Sequence, residues 1–283
     1  MAIRPERAFL PSMCELLGLS ANTPTDMTFS FRGLARRGGA TGVHGDGWGL
    51  ASFDASPEGV TIYREETAAA FSKVAAEVAD LALKAHYSIA HIRKATQGVI
   101  ALNNCHPFHR QWQGQDWVFA HNGDLNGHLA LPGVFQPYGG TDSEAAFCWI
   151  LNGLDHDGID PHNPLALFEN LLAKSSQLAE RGIFNCLISN GAWLFAYAST
   201  KLHRLTRRTP FTTATLADDD LTVDFSKVTT DRDVVTIVST EPLTTNERWI
   251  PLQSGEGLLL QAGELVDHHI PEPKMHELNP LKS

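Results

Sequence analysis

The sequence is poor in three features that define other classes of protein. Its four cysteines, Cys14, Cys105, Cys148 and Cys186, are scattered over 283 residues, without a CxxC pair or the density of a disulfide-stapled secreted domain. No apolar run approaches the roughly 18 residues that a membrane-spanning helix needs. Basic residues are few, 22 Lys and Arg against 32 Asp and Glu, and the net charge of -10 disfavours a nucleic-acid partner. These absences predict a cytoplasmic protein with reduced thiols that binds neither nucleic acid nor membrane.

Residues 1–13 also lack the apolar stretch of a secretory signal. Two interpretations remain open: they are a leader, or the start of translation has been assigned too early. Because Cys14 is small, the bond between Met13 and Cys14 is one at which an initiator methionine can be removed. We expect a single domain over residues 14–283.

The hydrophobic pattern predicts strands and helices arranged in layers. Short apolar runs rich in β-forming residues predict strands at 14–19, 50–53, 60–63, 87–91, 117–121, 185–189, 193–198, 234–239 and from residue 258. Helical spacing predicts helices at 67–84, at 145–154 after the capping box 141–144, and at 164–179. Turn residues at 20–24, the glycine-rich run 37–49, and segments 105–109 and 217–224 predict loops. Strands followed by two consecutive helices and further strands predict sheets covered by helices.

Cys14 combines two groups that nucleophilic catalysis needs. If it becomes the first residue, it carries both a thiol and a free α-amine, whose ordinary pKa values are about 8.5 and about 8. The amine can then accept the thiol proton near neutral pH, directly or through water. The alternative is that Cys14 is a small buried residue at the head of a strand, which is the commoner role of a lone cysteine.

Asn122 and Gly123 directly follow the predicted strand at 117–121. The Asn side-chain amide and the Gly backbone amide are adjacent donors that can face one developing oxyanion. Asn-Gly is also the strongest short turn dipeptide, so a plain turn is the alternative.

Two charged residues lie at the boundaries of predicted elements, one after a strand and one at the start of a helix. Arg93 follows the strand at 87–91, where its guanidinium can hold a carboxylate at two points, although a surface arginine is the plainer interpretation. Asp142 opens the capped helix, where it can hold an ammonium group or merely complement the helix amides. His106 and His109 lack a second ligand cluster, so the sequence predicts no metal site and only a rigid turn at His106-Pro107.

Seven short motifs, each modest alone, carry a family resemblance through their order. They are Met-Cys-Glu-Leu-Leu-Gly at 13–18, His-Gly-Asp-Gly-Trp-Gly at 44–49, His-Ile-Arg-Lys-Ala-Thr at 91–96, Asn-Cys-His-Pro-Phe at 104–108, His-Asn-Gly-Asp-Leu at 121–125, Gly-Thr-Asp-Ser-Glu at 140–144 and Ser-Thr-Glu-Pro-Leu at 239–243. Together they resemble the glutaminase domain of class II glutamine amidotransferases, most closely the stand-alone YafJ-like and EgtC-like members.

The resemblance implies an α+β fold, a four-layer αββα sandwich of two mainly antiparallel sheets, as in N-terminal-nucleophile hydrolases. It also implies roles for six residues: Cys14 as nucleophile, Asn122 and Gly123 as oxyanion donors, Arg93 as carboxylate clamp, Asp142 as ammonium partner and Thr96 as a supporting contact.

The implied reaction is hydrolysis of glutamine through a γ-glutamyl thioester on Cys14, without metal or cofactor. One alternative is the same chemistry on a larger γ-glutamyl amide or peptide of thiol metabolism. Another is a non-catalytic subunit that senses glutamine. Because no acceptor domain is recognisable, a separate synthase subunit that takes up the ammonia is a possible partner.

Overall fold

The computed structural model of the chain describes residues 14–54, 59–96 and 98–272. The predicted leader at residues 1–13 lies outside the described residues. The single domain expected over residues 14–283 stays a prediction.

Two antiparallel sheets form the centre of the molecule. Among the described residues, the first contains seven strands: β1 (Glu15–Asp26), β2 (Trp48–Asp54), β3 (Val60–Glu65), β4 (Lys84–Ile92), β9 (His203–Arg207), β12 (Val235–Ser239) and β13 (Ile250–Pro251). The second contains six: β5 (Phe108–Trp112), β6 (Gln115–Leu125), β7 (Gly182–Ser189), β8 (Leu194–Ala198), β14 (Glu256–Gln261) and β15 (Glu264–His269). A small hairpin pairs β10 (Thr213–Thr215) with β11 (Thr222–Asp224).

The strand orders are β13-β9-β12-β1-β4-β2-β3 in the first sheet and β15-β14-β8-β7-β6-β5 in the second. β1 is therefore an interior strand, with β12 on one side and β4 on the other. Interior strands have both edges hydrogen-bonded, which makes the start of β1 a rigid place for a functional residue.

In the part of the chain that the structure describes, the α-helices are α1 (Thr28–Arg37), α2 (Lys73–Asp80), α3 (Asp142–His156) and α4 (Pro164–Ala179). Three of them begin at a side chain that accepts a hydrogen bond from a first-turn amide, namely Ser72, Thr141 and Asn163. Only half of the predicted capping box forms before α3. Thr141 caps the helix, but Glu144 turns to Arg110 and the Gly139 amide instead of back to the cap.

Alternate residues of each strand face different layers. On β1, Leu16 packs between the two sheets with Ile89 and Val118, whereas Leu17 packs under α1 and α2. A third cluster, which includes Phe119 and Phe147, joins the second sheet to α3 and α4. The order of layers is helices, sheet, sheet, helices, so the predicted four-layer αββα sandwich is confirmed.

Some local predictions were wrong. The turn at 20–24 does not form, because β1 continues to Asp26 through an irregularity, and Asn22 bonds Val234 instead of closing a turn. The helix predicted at 67–84 is shorter, because Ser72 starts α2 and Lys84 already belongs to β4. The loops predicted at 37–49, 105–109 and 217–224 are cut short by the end of α1 and by β2, β5 and β11.

Candidate active site

Cys14 lies immediately before β1 and faces the end of β4. Its Sγ accepts a hydrogen bond from the Lys94 amide at 3.1 Å and lies 3.2 Å from the Lys94 carbonyl oxygen, to which the thiol donates. The side chain is half-buried. β1 and β4 pair through Glu15 and Ile92, so the ladder itself fixes the thiol beside the segment that follows β4.

Burial raises the pKa of the Cys14 thiol to about 11. The Lys94 amide and the Arg93 guanidinium act in the opposite direction, and the Asp142 carboxylate adds to the increase, but burial is the largest effect. Both charged groups therefore lie within electrostatic reach of the thiol. A thiol with so high a pKa is almost wholly protonated at pH 7, so it needs a proton acceptor in order to attack.

The glycine-rich loop before β2 holds the end of β4 in place. Asp46 and Arg93 are joined through their backbones, and the Asp46 carboxylate accepts a hydrogen bond from the Ala95 amide at 2.8 Å. A side chain on Gly49 would meet the His106 carbonyl oxygen at 2.2 Å, which explains why this close approach requires glycine.

Arg93 is buried, with 3% of its surface exposed. Its guanidinium donates to the carbonyl oxygens of Val99 at 3.3 Å, Gly98 at 3.4 Å and Asp46 at 3.5 Å. These distances exceed the 2.7–3.2 Å usual for N–H to O bonds. A carboxylate would offer the same guanidinium shorter, charge-assisted bonds.

Asn122 and Gly123 lie within β6 rather than in a turn, opposite Asn185 and Phe184 of β7. The plain-turn alternative is therefore wrong. A side chain on Gly123 would come within 1.8 Å of the Ile183 carbonyl oxygen, so the backbone approach leaves room for glycine alone.

Thr240 connects Asn122 to the nucleophile strand. Its Oγ1 accepts hydrogen bonds from the Leu16 amide at 2.9 Å and from Asn122 Nδ2 at 3.2 Å. A side-chain amide has two N–H donors, and Thr240 engages one of them. Sequence reasoning gave Thr240 no role, although the motif at 239–243 was a signal.

Asn185 is a second residue that sequence reasoning missed. It is fully buried, and its Nδ2 donates to the Asn122 carbonyl oxygen at 3.1 Å. Its Oδ1 accepts from the amides of Ser199, Thr200 and Lys201. Asn185 therefore anchors the backbone beneath Asn122 to the loop after β8.

Asp142 begins α3. One carboxylate oxygen accepts from the Leu125 amide at 2.8 Å and the other from the Ser143 amide at 2.8 Å. A carboxylate oxygen can accept more than one hydrogen bond. These contacts therefore orient Asp142 and leave it able to accept further hydrogen bonds from an ammonium group. The structure thus brings Cys14, Arg93 and Asp142 together, with Asn122 tied in through Thr240.

Thr96 is different from the other predicted site residues. Its side chain is exposed and lies in a bend of the chain. Among the described residues, it forms no hydrogen bond with the other predicted site residues.

His91, His106 and His121 lie buried beside these residues. The rings of His91 and His106 are 4.1 Å apart, and burial lowers the pKa of both well below the usual value. Burial also lowers the pKa of His121. Because the Ile183 carbonyl oxygen only accepts, His121 Nε2 carries the proton and Nδ1 accepts from the Ser143 hydroxyl. All three rings are neutral near pH 7.

An ion-pair network fixes the residue after Cys14. Glu15 is buried and pairs with Arg37 Nη1 at 2.8 Å. Arg37 also binds Asp218 at 2.6 Å and the Pro242 carbonyl oxygen at 2.6 Å. The end of α1 and the segment after β12 are thereby clamped to the start of β1.

The described residues include no group of three or more His, Cys, Asp or Glu side chains placed to hold a metal ion. His109 binds Asp116 at 2.7 Å, while His106 packs in the histidine cluster. Within the described segments, no helix is long and apolar enough to cross a membrane.

Known proteins are similar to this chain in both sequence and architecture. The family model of class II glutamine amidotransferases matches residues 13–282. The chain is 46% identical over 256 residues to YafJ of Escherichia coli K12, a protein named as a glutamine amidotransferase. The match covers 90% of this chain and 100% of YafJ.

Solved structures extend the comparison. A predicted glutamine amidotransferase from Pseudomonas aeruginosa PA01 is 41% identical, with a TM-score of 0.71 over 90% of this chain and 100% of that one. The glutamine phosphoribosylpyrophosphate amidotransferase of B. subtilis is 15% identical, with a TM-score of 0.56 over 91% of this chain and 49% of that one, and shows the shared fold alone. The chain belongs to the class II glutamine amidotransferase family.

Proposed function

We propose that the protein hydrolyses the side-chain amide of glutamine, with Cys14 as the nucleophile. The observation that carries this proposal is the position of the Cys14 thiol at the start of an interior strand, within electrostatic reach of both Arg93 and Asp142. A guanidinium and a carboxylate around one thiol match the α-carboxylate and α-ammonium groups of a free amino acid. Family membership supports the same reaction.

The first step is attack on the amide carbonyl. Removal of the residues before Cys14 gives it a free α-amine with an ordinary pKa of about 8. Because the thiol pKa is about 11, we propose that the amine takes the proton as the sulfur attacks, rather than beforehand. The sulfur then bonds to the carbonyl carbon, and the carbonyl electron pair moves onto oxygen.

Asn122 and Gly123 are the proposed donors to this oxyanion. The second N–H of the Asn122 side chain, beyond the one given to Thr240, is the donor that we assign to it. When the oxyanion collapses, the C–N bond breaks, and the amine proton passes to the leaving nitrogen. Ammonia departs and a γ-glutamyl thioester remains on Cys14.

Water completes the cycle. The same α-amine accepts a proton from water, which attacks the thioester carbonyl, and glutamate leaves as the Cys14 thiol is restored. In this scheme Arg93 holds the substrate carboxylate, Asp142 holds its ammonium group, and Thr96 is a supporting contact. We further propose that the ammonia is passed to a separate synthase subunit.

Hydrolysis assays with protein that begins at Cys14 test this function. Glutamate release from glutamine should be abolished in Cys14→Ala and largely retained in Cys105→Ala, Cys148→Ala and Cys186→Ala. Near-normal turnover in Cys14→Ala would remove the nucleophile from the mechanism. A panel of glutamine, glutathione and a γ-glutamyl anilide identifies the preferred leaving group, and binding of glutamine without any turnover would point to a sensing subunit.

A further inference from the structure

Asn104 joins the two segments that carry the charged groups of the proposed site. It is the first residue of the Asn-Cys-His-Pro-Phe motif at 104–108, and it has no part in the reaction proposed above. It ends a short turn of 3₁₀ helix at Leu102–Asn104, and only 2% of its surface is exposed. A buried side-chain amide needs partners for both its donor and its acceptor atoms, and Asn104 finds one on each segment.

The donor side of the amide meets the segment that holds Arg93. Asn104 Nδ2 donates to the Val99 carbonyl oxygen at 2.9 Å, and the same oxygen accepts from Arg93 Nη1 at 3.3 Å. A carbonyl oxygen has two lone pairs, so it can receive both donors at once. By fixing the position of this oxygen, Asn104 helps to fix the position of the guanidinium.

The acceptor side of the amide meets the segment that leads into α3. Asn104 Oδ1 accepts from the Gly140 amide at 2.9 Å, two residues before Asp142. A side chain on Gly139 would come within 2.3 Å of Asn104 Oδ1, so the close approach depends on glycine. The Gly139 amide also donates to Glu144 at 2.6 Å, which ties this segment to α3 itself.

The two segments also contact each other beside Asn104. A side chain on Gly98 would lie 3.2 Å from Asn104 Nδ2, 3.3 Å from Thr141 Cγ2 and 3.5 Å from the Gly140 carbonyl oxygen. The Gly98 carbonyl oxygen is a further acceptor for Arg93. The backbone that holds the guanidinium therefore packs directly against the residues before Asp142, with the Asn104 amide between them.

We propose that Asn104 is a positioning residue that sets the spacing between the Arg93 guanidinium and the Asp142 carboxylate. This role rests on the proposed function, in which these two groups hold the α-carboxylate and the α-ammonium group of one substrate. Both substrate groups are attached to the same carbon atom, so one molecule reaches both protein groups only at a particular spacing. A fixed spacing favours two-point binding, because less conformational freedom is lost when the ligand binds. Asn104 therefore favours ligands with a free amino-acid end.

Binding to protein that begins at residue 14 and carries Cys14→Ala tests this role, because the ligand stays intact. Calorimetry gives dissociation constants for glutamine, for 4-carbamoylbutanoate, which lacks the α-ammonium group, and for 4-aminobutanamide, which lacks the α-carboxylate. Asn104→Ala should raise the dissociation constant of glutamine about tenfold or more, because two buried hydrogen bonds are lost. The rise for glutamine should exceed the product of the rises for the two analogues, since each analogue uses only one charged group. A rise no larger than that product would overturn the proposal.

Asn103→Ala is the matched control. Asn103 lies in the same turn, is exposed and donates to the Tyr138 carbonyl oxygen at 3.3 Å. Its side chain does not bridge the two segments as that of Asn104 does, so Asn103→Ala should bind all three ligands as the parent protein does. An equal loss of glutamine affinity in this control would contradict the proposal, because loosening of the turn would then explain the effect.

Thermal unfolding shows which variants are folded. Asn104→Asp keeps the shape of the side chain and an acceptor for the Gly140 amide, but a carboxylate cannot donate to Val99. It should therefore also weaken glutamine binding, which keeps the test decisive if Asn104→Ala is unstable. Affinity equal to that of the parent protein in a folded Asn104 variant would overturn the proposal.

Kinetics with Cys14 present separate positioning from chemistry. In the Asn104 variants KM for glutamine should rise, whereas kcat should stay within about threefold of wild type, because Asn104 acts through the two binding groups. A fall in kcat at unchanged KM would contradict this role. Failure of the proposed function gives a different result, since the wild-type protein would then not hydrolyse glutamine at all.

Discussion

Replacement of Thr240 by valine tests how Asn122 is held in position. Thr240 is 6% exposed, and its hydroxyl oxygen accepts from both the Leu16 amide and Asn122 Nδ2. Valine has a similar volume but no hydroxyl, so two buried donors lose their acceptor. Each buried donor left without a partner costs about 1 to 3 kcal/mol, so we expect the free energy of unfolding to fall by about 3 kcal/mol.

The same change should slow catalysis. In Thr240→Val the Asn122 side chain loses the hydrogen bond from Nδ2 that orients it, so the proposed oxyanion donor is less well aligned. We expect kcat for glutamine to fall by about tenfold to a hundredfold with little change in KM. Urea denaturation and glutamate release measure the two effects on the same preparation.

Thr240→Ser is the matched control, because serine keeps the hydroxyl and loses only a methyl group. It should remain close to wild type in both measurements. If Thr240→Val unfolds at the wild-type urea concentration and turns over glutamine at the wild-type rate, Thr240 does not position Asn122.

Three further substitutions separate the roles around the thiol. Asn122→Ala should lower kcat by about a hundredfold or more while KM changes little, and an effect confined to KM would reassign Asn122 to substrate binding. Arg93→Lys should raise KM about tenfold or more, because an ammonium group cannot reproduce the two-point clamp, and an unchanged KM would exclude that role. Asp142→Asn removes a carboxylate that raises the pKa of Cys14, so alkylation of Cys14 by iodoacetamide at a fixed pH should become faster; a slower reaction would contradict the electrostatic assignment.

Sequence patterns predicted those parts of the site that depend on local order. Strong hydrophobic runs lie beside the polar residues after β4, those within β6, and the cap at Thr141. The positions of these residues at or near the ends of strands and helices could therefore be predicted from adjacent residues in the sequence. α4 was predicted with its observed bounds because Pro164 and the apolar spacing are local signals.

Contacts between distant segments were not predictable in this way. The bond from Thr240 to Leu16 joins residues 224 positions apart, and Asn185 acts on Asn122 across neighbouring strands. α1 was missed for a similar reason. It lacks a side-chain cap at its start, and its buried face is completed by packing against Trp48 and other residues of the first sheet.

The central claim is that Cys14 acts through its own α-amine, and the most direct test compares two forms of the chain. One form begins at Cys14, made by starting translation at Met13 or by cleavage before Cys14. The other retains residues 1–13, as verified by intact mass. In the longer form the amine is an amide nitrogen without useful basicity.

We predict that the form beginning at Cys14 hydrolyses glutamine about a hundredfold faster or more, since a general base contributes that much to the rate. The Cys14→Ala variant of each form provides the background rate. Equal rates in the two verified forms would show that the α-amine is not the base, and that the mechanism proposed for this site is wrong.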